Sequence, residues 1–253
     1  MYLTIQGLVL RVNAYNDSDS LLTILTKEHG KITAKARGLR RKNSPLTAPC
    51  QLLAYSEFTL FEYRGFYTIN EASSIELFQQ LQTDLVKLSL ATYFAQVAEV
   101  ISQEDISNPE LLSLVLNCLH ILCHGDVSCD QVKAVFELRC ACLAGYTPDL
   151  HGCQYCNHPL PDRFDVAQGQ LECSRCSRPG VSGIRMPVNP GVLDSMRYIC
   201  HCSPKRLFGF QVGESTVKSL SSVCECYLST QLERGFSALD FYKSLFQPLD
   251  IFD

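Results

Sequence analysis

Lys31-Ile32-Thr33-Ala34-Lys35-Ala36-Arg37 alternates polar and apolar side chains, one after the other. A period of two is that of a strand with one covered face, so Ile32, Ala34 and Ala36 are expected inside and Lys31, Lys35 and Arg37 outside. Upstream, residues 21–26 form a second short apolar run behind the polar turn cluster 13–18. Further upstream, Leu3 and Ile5, then Leu8, Leu10 and Val12, alternate around Gly7, where a β-bulge is expected. Downstream, residues 39–49 (LRRKNSPLTAP) carry three basic residues, two prolines and no period, the signature of a loop. Residues 52–61 and 66–72 are separated by EYRG and read as a hairpin. Five short strands within residues 1–80 need their edges closed or covered, which predicts a small barrel.

From Ser74 the period lengthens. Leu77, Phe78, Leu81, Leu85, Leu88, Phe94, Val97, Ala98 and Ile101 recur at three- and four-residue steps and predict one long amphipathic helix. Asn108-Pro109-Glu110 supplies an N-cap, a first-turn proline and a first-turn acid, and Gly125 ends that helix. Ser128 and Gln131 form a capping-box pattern for a third helix, which Gly145 and Pro148 stop. Residues 149–186 are turn-rich and poor in large apolar side chains. Asn189-Pro190 opens a further helix, and helical patterns follow at 214–234 and 237–246.

The segment at 149–186 contains Cys153-x2-Cys156-x16-Cys173-x2-Cys176. Each Cys-x2-Cys folds into a turn that points two sulfurs at one centre, and two such turns complete a tetrahedral shell. The surrounding apolar side chains are too few to fold the segment, so metal binding would supply the missing free energy. Four thiolates leave no open position for a substrate. The expected occupant is therefore one structural zinc ion per chain. An iron–sulfur cluster uses the same four-cysteine set. The paired turns and the spacer favour zinc. His151 and His158 flank the site as exposed loop residues. Of the Cys140/Cys142, Cys200/Cys202 and Cys224/Cys226 pairs, the first and third point their members to different sides of a helix, and all read as small buried hydrophobes.

The chain has 253 residues, 46% apolar and 19% charged, an ordinary globular balance. No run of eighteen apolar residues exists, which excludes a membrane-spanning helix. The N-terminus lacks a basic region before an apolar one, so a cytoplasmic, reducing location is expected, and with it thiols in place of disulfides. The net charge of −4 hides an asymmetry: residues 1–45 are net +5 and residues 81–150 net −6. Lys31, Lys35, Arg37, Arg40, Arg41 and Lys42 lie within twelve residues with no acid among them. Two readings fit that run: a track for a phosphate backbone, or a solvated stretch that keeps an edge strand soluble. Tyr15, Tyr55, Phe58, Tyr63, Phe66 and Tyr67 lie nearby, some to fill a barrel and some free to stack on bases. Phosphate-binding loops, dinucleotide fingerprints, nucleophile elbows and zinc-hydrolase or deaminase motifs are absent, so no enzyme is expected.

The stretch Gly7–Leu10 (GLVL), the run Asp17–Arg41 (DSDSLLTILTKEHGKITAKARGLRR), the segment Phe136–Cys156 (FELRCACLAGYTPDLHGCQYC) and Cys173–Cys176 (CSRC) together resemble the bacterial RecO family of DNA repair and recombination mediators over essentially the whole chain. Pro45, Pro49 and Cys50 depart from the family pattern in the loop after the basic run. The resemblance implies an α+β protein with an OB-fold β-barrel at 1–80, an α-helical domain at 81–148 and 186–253, and a zinc-ribbon-like insert at 149–185. It implies non-catalytic binding of single- and double-stranded DNA, strand annealing, association with RecR and with the C-terminal tail of single-stranded-DNA-binding protein (SSB), and help in loading RecA, all in the RecF pathway at the nucleoid. On that resemblance Lys31, Lys35, Arg37, Arg40, Arg41 and Lys42 face DNA. Cys153, Cys156, Cys173 and Cys176 hold the metal, and Lys133 and Arg139 lie at the site for the SSB tail. The alternative is a zinc-ribbon adaptor that binds protein partners without touching DNA.

Overall fold

The structure is a computed structural model that describes residues 1–176 and 183–247. Parts of two expected segments, 177–182 of the zinc-ribbon-like insert and 248–253 of the final helical segment, lie outside the described residues. The chain forms two compact units, Met1–His124 with the segment from Phe236, and Gly125–Gly235.

In the first unit, β1 (Tyr2–Ala14), β2 (Ser20–Thr26), β3 (Lys31–Ala36), β4 (Tyr55–Tyr63) and β5 (Phe66–Glu76) close into a barrel in the order β1-β2-β3-β5-β4. β4 returns antiparallel to β1, and β3 pairs with β5 in parallel. The alternation expected of β3 holds, since Ile32, Ala34 and Ala36 are buried in the barrel with Ile5, Val9, Leu22, Ile24, Phe58, Leu60 and Ile69. Leu46 and Cys50, from the loop between β3 and β4, also join that core. The bulge lies not at Gly7 but between Val9 and Arg11, where the β1–β2 register shifts. Gly7 instead provides room: a Cβ there would sit 2.5 Å from the Ile24 side chain, so only glycine lets β1 approach β2.

β1 is buried without alternation from Gly7 to Leu10, and β2 from Leu22 to Thr26. Side chains on both faces are therefore covered. The outer cover is helical. α1 (Leu85–Ile101) packs on β1 and β2, and α2 (Pro109–His124) on β2. Arg11 of β1 pairs with Glu99 of α1 at 2.9 Å. α6 (Ser237–Ser244) packs on α1. The compact units thus divide the chain differently from the segments expected from sequence, because α1, α2 and α6 are grouped with the barrel. The long helix expected from Ser74 also starts later. β5 runs to Glu76, a short 3-10 helix occupies Gln79–Thr83, and Asp84 caps α1 by accepting from the Val86 and Lys87 amides.

In the second unit, α3 (Cys129–Leu143), α4 (Pro190–His201) and α5 (Glu214–Gln231) pack on one another. α3 is buried continuously from Gln131 to Leu138, the mark of a central helix. Ser128 caps it by accepting from the Gln131 amide, but the Gln131 side chain donates to the Phe210 carbonyl, so only half of the capping box forms. Gly145, at φ +92, ends the helix with its amide on the Cys142 carbonyl. The chain then enters a four-stranded sheet of order β6-β8-β7-β9, made by β6 (Asp149–Cys153), β7 (Arg163–Asp165), β8 (Gln170–Glu172) and β9 (Arg185–Pro187).

Candidate nucleic-acid interface and metal centre

The six cations of the basic run separate into two groups. Lys31 and Lys35 leave β3 half-buried, and both are engaged. Lys31 donates to the Glu99 carbonyl at 2.9 Å, and Lys35 lies 3.0 Å from the Asp19 carboxylate and over the Tyr15 ring. Arg37, Arg40, Arg41 and Lys42 are exposed. They sit where the chain leaves β3, and that departure is tied to the β1–β2 turn. The Gly38 amide donates to Asp19, the Arg40 amide to the Ser18 carbonyl, and the Arg40 guanidinium to the Asn16 carbonyl. Asn16 in turn accepts from the Ser18 and Asp19 amides. The hydrogen bond from Gly38, then those from Lys35 and Asn16, hold the Asp19 carboxyl well below the usual carboxylate range. Four charged side chains therefore project from an anchored loop, and among the described residues none of the four pairs with a carboxylate.

Beside β3 is a cleft of about 530 Å³ lined by Tyr15, Lys31, Lys35, Phe66 and Tyr67, with Glu104 and Asp105 also contributing. Of the aromatics singled out from sequence, Phe58 is wholly buried, while Tyr15, Tyr63 and Phe66 are exposed, Phe66 by 77%.

Lys133 and Arg139 do not form a surface site. Lys133 is 3% exposed, with its ammonium 3.1 Å from Glu137, 2.8 Å from Glu225 and 3.3 Å from the Ser221 hydroxyl. Burial pulls this lysine down, but the two carboxylates outweigh it and hold it above the ordinary lysine value. An ammonium so enclosed is a structural ion and is not open to an acidic peptide. That corrects the expectation for Lys133. Arg139 is half-buried and donates to the Ile199 and Cys200 carbonyls at the end of α4.

The cysteine quartet does come together. The sulfurs of Cys153, Cys156, Cys173 and Cys176 all lie within 4.8 Å of one another, with Cys156 and Cys173 3.9 Å apart. A tetrahedron with metal–sulfur bonds of about 2.3 Å has sulfurs about 3.8 Å apart, so the set fits a metal ion. Each pair is turned by a backbone bond, Asn157 to the Cys153 carbonyl and Cys176 to the Cys173 carbonyl. Burial pushes the Cys153 thiol up, but the Tyr155, Cys156 and Cys173 amides outweigh it and bring it down to about 6. Burial and bonding to Cys153 and Cys156 push Cys173 up to about 12. One thiolate thus forms readily at the expense of its neighbours, a conflict that a divalent cation removes. Arg197 of α4 fixes the element by donating to the carbonyls of Leu150, His151 and Pro159, and Arg185 bridges Glu172 and Asp165. The sequence reading missed both arginines. His151 and His158 are exposed, His151 beside Asp149.

Residues 1–78 match the family profile described as Recombination protein O N terminal, and residues 82–240 match Recombination protein O C terminal. The chain is 34% identical over 246 residues to the DNA repair protein RecO of Acetivibrio thermocellus, covering 96% of this chain and 97% of that one. The chain belongs to the RecO family. Other RecO relatives agree in extent: that of Alkaliphilus metalliredigens is 30% identical over 97% of this chain and its own full length, and that of Bacillus subtilis 28% identical over 88% and 86%. Two features of this RecO-family chain bear on its function, the exposed cations after β3 and the four-sulfur cluster. No helix among its described residues is long and apolar enough to cross a membrane.

Proposed function

We propose that this chain is a non-catalytic DNA-binding mediator of recombinational repair. In this reading it binds single- and double-stranded DNA through its N-terminal barrel and anneals complementary strands. The observation that carries the proposal is the anchored, exposed set Arg37, Arg40, Arg41 and Lys42. Annealing requires that phosphates on two strands be neutralised while base edges stay free to pair. Exposed cations on an ordered loop do this without reading sequence. The strand order β1-β2-β3-β5-β4 supports an OB-type barrel, in which the face of strands 2 and 3 and the loops joining strands 1–2 and 4–5 take up nucleic acid. Tyr15, on the first of those loops, and Phe66, the first residue of β5 after the second, would stack on bases. Lys31 and Lys35 would serve as secondary contacts, since both are half-buried and Lys35 is paired with Asp19.

Zinc, one ion per chain, would be held by Cys153, Cys156, Cys173 and Cys176, and would supply shape and no chemistry of reaction. Family membership supports association with RecR and the SSB tail, and through them loading of RecA, in a cytoplasmic, nucleoid-associated setting. With Lys133 enclosed, the tail is not assigned to that residue. The adaptor reading, with no DNA contact, is separated by annealing of complementary oligonucleotides coated with SSB. The wild-type chain is expected to accelerate annealing, and Arg37→Gln, Arg40→Gln, Arg41→Gln, Lys42→Gln combined to lose most of that acceleration. Equal rates for the two proteins would overturn the proposal.

A further inference from the structure

Of the six Cys-x-Cys residues expected to be small buried hydrophobes, Cys140 and Cys224 are buried, while Cys142, Cys200, Cys202 and Cys226 are half-buried. One pair behaves differently. Cys142, in the last turn of α3, and Cys200, in the last turn of α4, are half-buried with their sulfurs 3.8 Å apart. They come from two different Cys-x-Cys pairs and meet only because α3 and α4 pack. Arg139, one turn before Cys142, donates to the carbonyl of Cys200 itself at 3.0 Å and to that of Ile199. It holds the end of α4 against α3 and lends the pair a positive charge.

We propose that Cys142 and Cys200 are a hydroperoxide-responsive dithiol whose disulfide ties the last turn of α3 to the last turn of α4. The metal element, with all four of its cysteines, and α4 lie between them in the chain, so the bond would close one covalent loop around both. The dithiol does not depend on the DNA-binding surface.

The surroundings assign the roles. The hydrogen bond with Cys200 brings the Cys142 thiol down to about 7, against burial and helped by Thr147 and Arg139. The same bond and burial push Cys200 up. From α5, Cys224 and Tyr227 face the pair; burial pushes both up, so both are neutral near pH 7. Cys142 is therefore the nucleophile and Cys200 the resolving thiol. The Cys142 thiolate attacks one peroxide oxygen. A sulfur–oxygen bond forms, the oxygen–oxygen bond breaks, and the departing oxyanion takes up a proton as water or an alcohol. Cys200 sulfur then attacks the sulfenic sulfur of Cys142. The sulfur–sulfur bond forms, the sulfur–oxygen bond breaks, and the hydroxyl leaves as water with the Cys200 proton. Two thiols give up two electrons and the peroxide accepts them. The sulfurs must close to about 2.05 Å, a small movement for two side chains at helix ends.

The test uses the full chain loaded with one zinc per chain, treated with a few equivalents of hydrogen peroxide, then alkylated and mapped by peptide mass. The expected product is a Cys142–Cys200 cross-linked peptide, about 2 Da lighter than the two free thiols because two hydrogens are lost, formed before zinc is released and reversed by dithiothreitol. Alkylation of Cys142 at pH 7 is expected to run roughly threefold faster than that of an ordinary thiol near 8.5, because a larger thiolate fraction outweighs a weaker nucleophile. Cys200→Ser should leave a sulfenic acid on Cys142 that dimedone captures. If that variant does not fold, the wild-type peptide map decides alone. Zinc loss while Cys142 and Cys200 remain alkylatable, or cross-links of either to a different cysteine, would overturn the proposal.

Discussion

Lys133→Ala separates an enclosed structural ion from a surface contact for an acidic tail. The ammonium has two carboxylates and a hydroxyl within 3.3 Å, and the Glu137 side chain beside it is 0% exposed. Removing the ammonium takes from the buried Glu137 carboxylate the cation it faces at 3.1 Å, while Glu225, 22% exposed, turns partly to water. Breaking a buried pair in this way costs about 3–5 kcal/mol. With a urea dependence of roughly 2 kcal/mol per molar, the midpoint of the second unit should fall by about 2 M. Circular dichroism during urea unfolding measures it. The sign with pH follows. In the wild type, Lys133 sits above its unfolded value, so its contribution is full through neutral pH and is lost only as pH climbs past the ordinary lysine range. Lys133→Met with Glu137→Gln, which removes both charges, should recover most of the loss. A midpoint unchanged in Lys133→Ala, with loss of tail-peptide binding instead, would refute the reasoning.

Asp19→Asn keeps an acceptor for the Gly38 amide but releases Lys35 from its ion pair; single-stranded DNA should bind more tightly at low salt, with a salt slope steeper by about 0.7, read by fluorescence anisotropy. Phe66→Ala should weaken single-stranded binding by about 1–3 kcal/mol in the same assay and leave the slope unchanged, because stacking releases no counterions. Cys153→Ser, or a strong zinc chelator, should reduce zinc from one per chain to near none and speed tryptic cleavage after Arg163 and Arg175. A brown preparation carrying iron and acid-labile sulfide would instead identify a cluster.

Much of the fold and of the site was legible because it is local. The strand period at Lys31–Arg37, the caps at Asn108, Ser128 and Asn189, and the two Cys-x2-Cys turns need only near neighbours in the chain. The misreadings involve residues far apart. Glu225 lies 92 positions from Lys133 and Glu99 lies 68 from Lys31, so of these partners only Glu137, four residues after Lys133, was legible nearby. The late start of α1 is a different error. Leu77 and Phe78 carry apolar side chains at helical spacing, but Phe78 sits at φ +47, and Asp84 is the cap. The helical cover on the barrel did leave a signal. Leu8-Val9-Leu10 and Leu22–Leu25 are runs without alternation, which strands covered on both faces carry.

The most direct test is the salt dependence of single-stranded DNA binding by the wild type and by the combined Arg37→Gln, Arg40→Gln, Arg41→Gln, Lys42→Gln chain. Losing four phosphate contacts should flatten the slope of log affinity against log salt by about 2.8, so that between roughly 50 and 200 mM salt the variant loses on the order of fifty-fold less affinity than the wild type. Parallel lines for the two proteins would contradict a DNA surface at this loop.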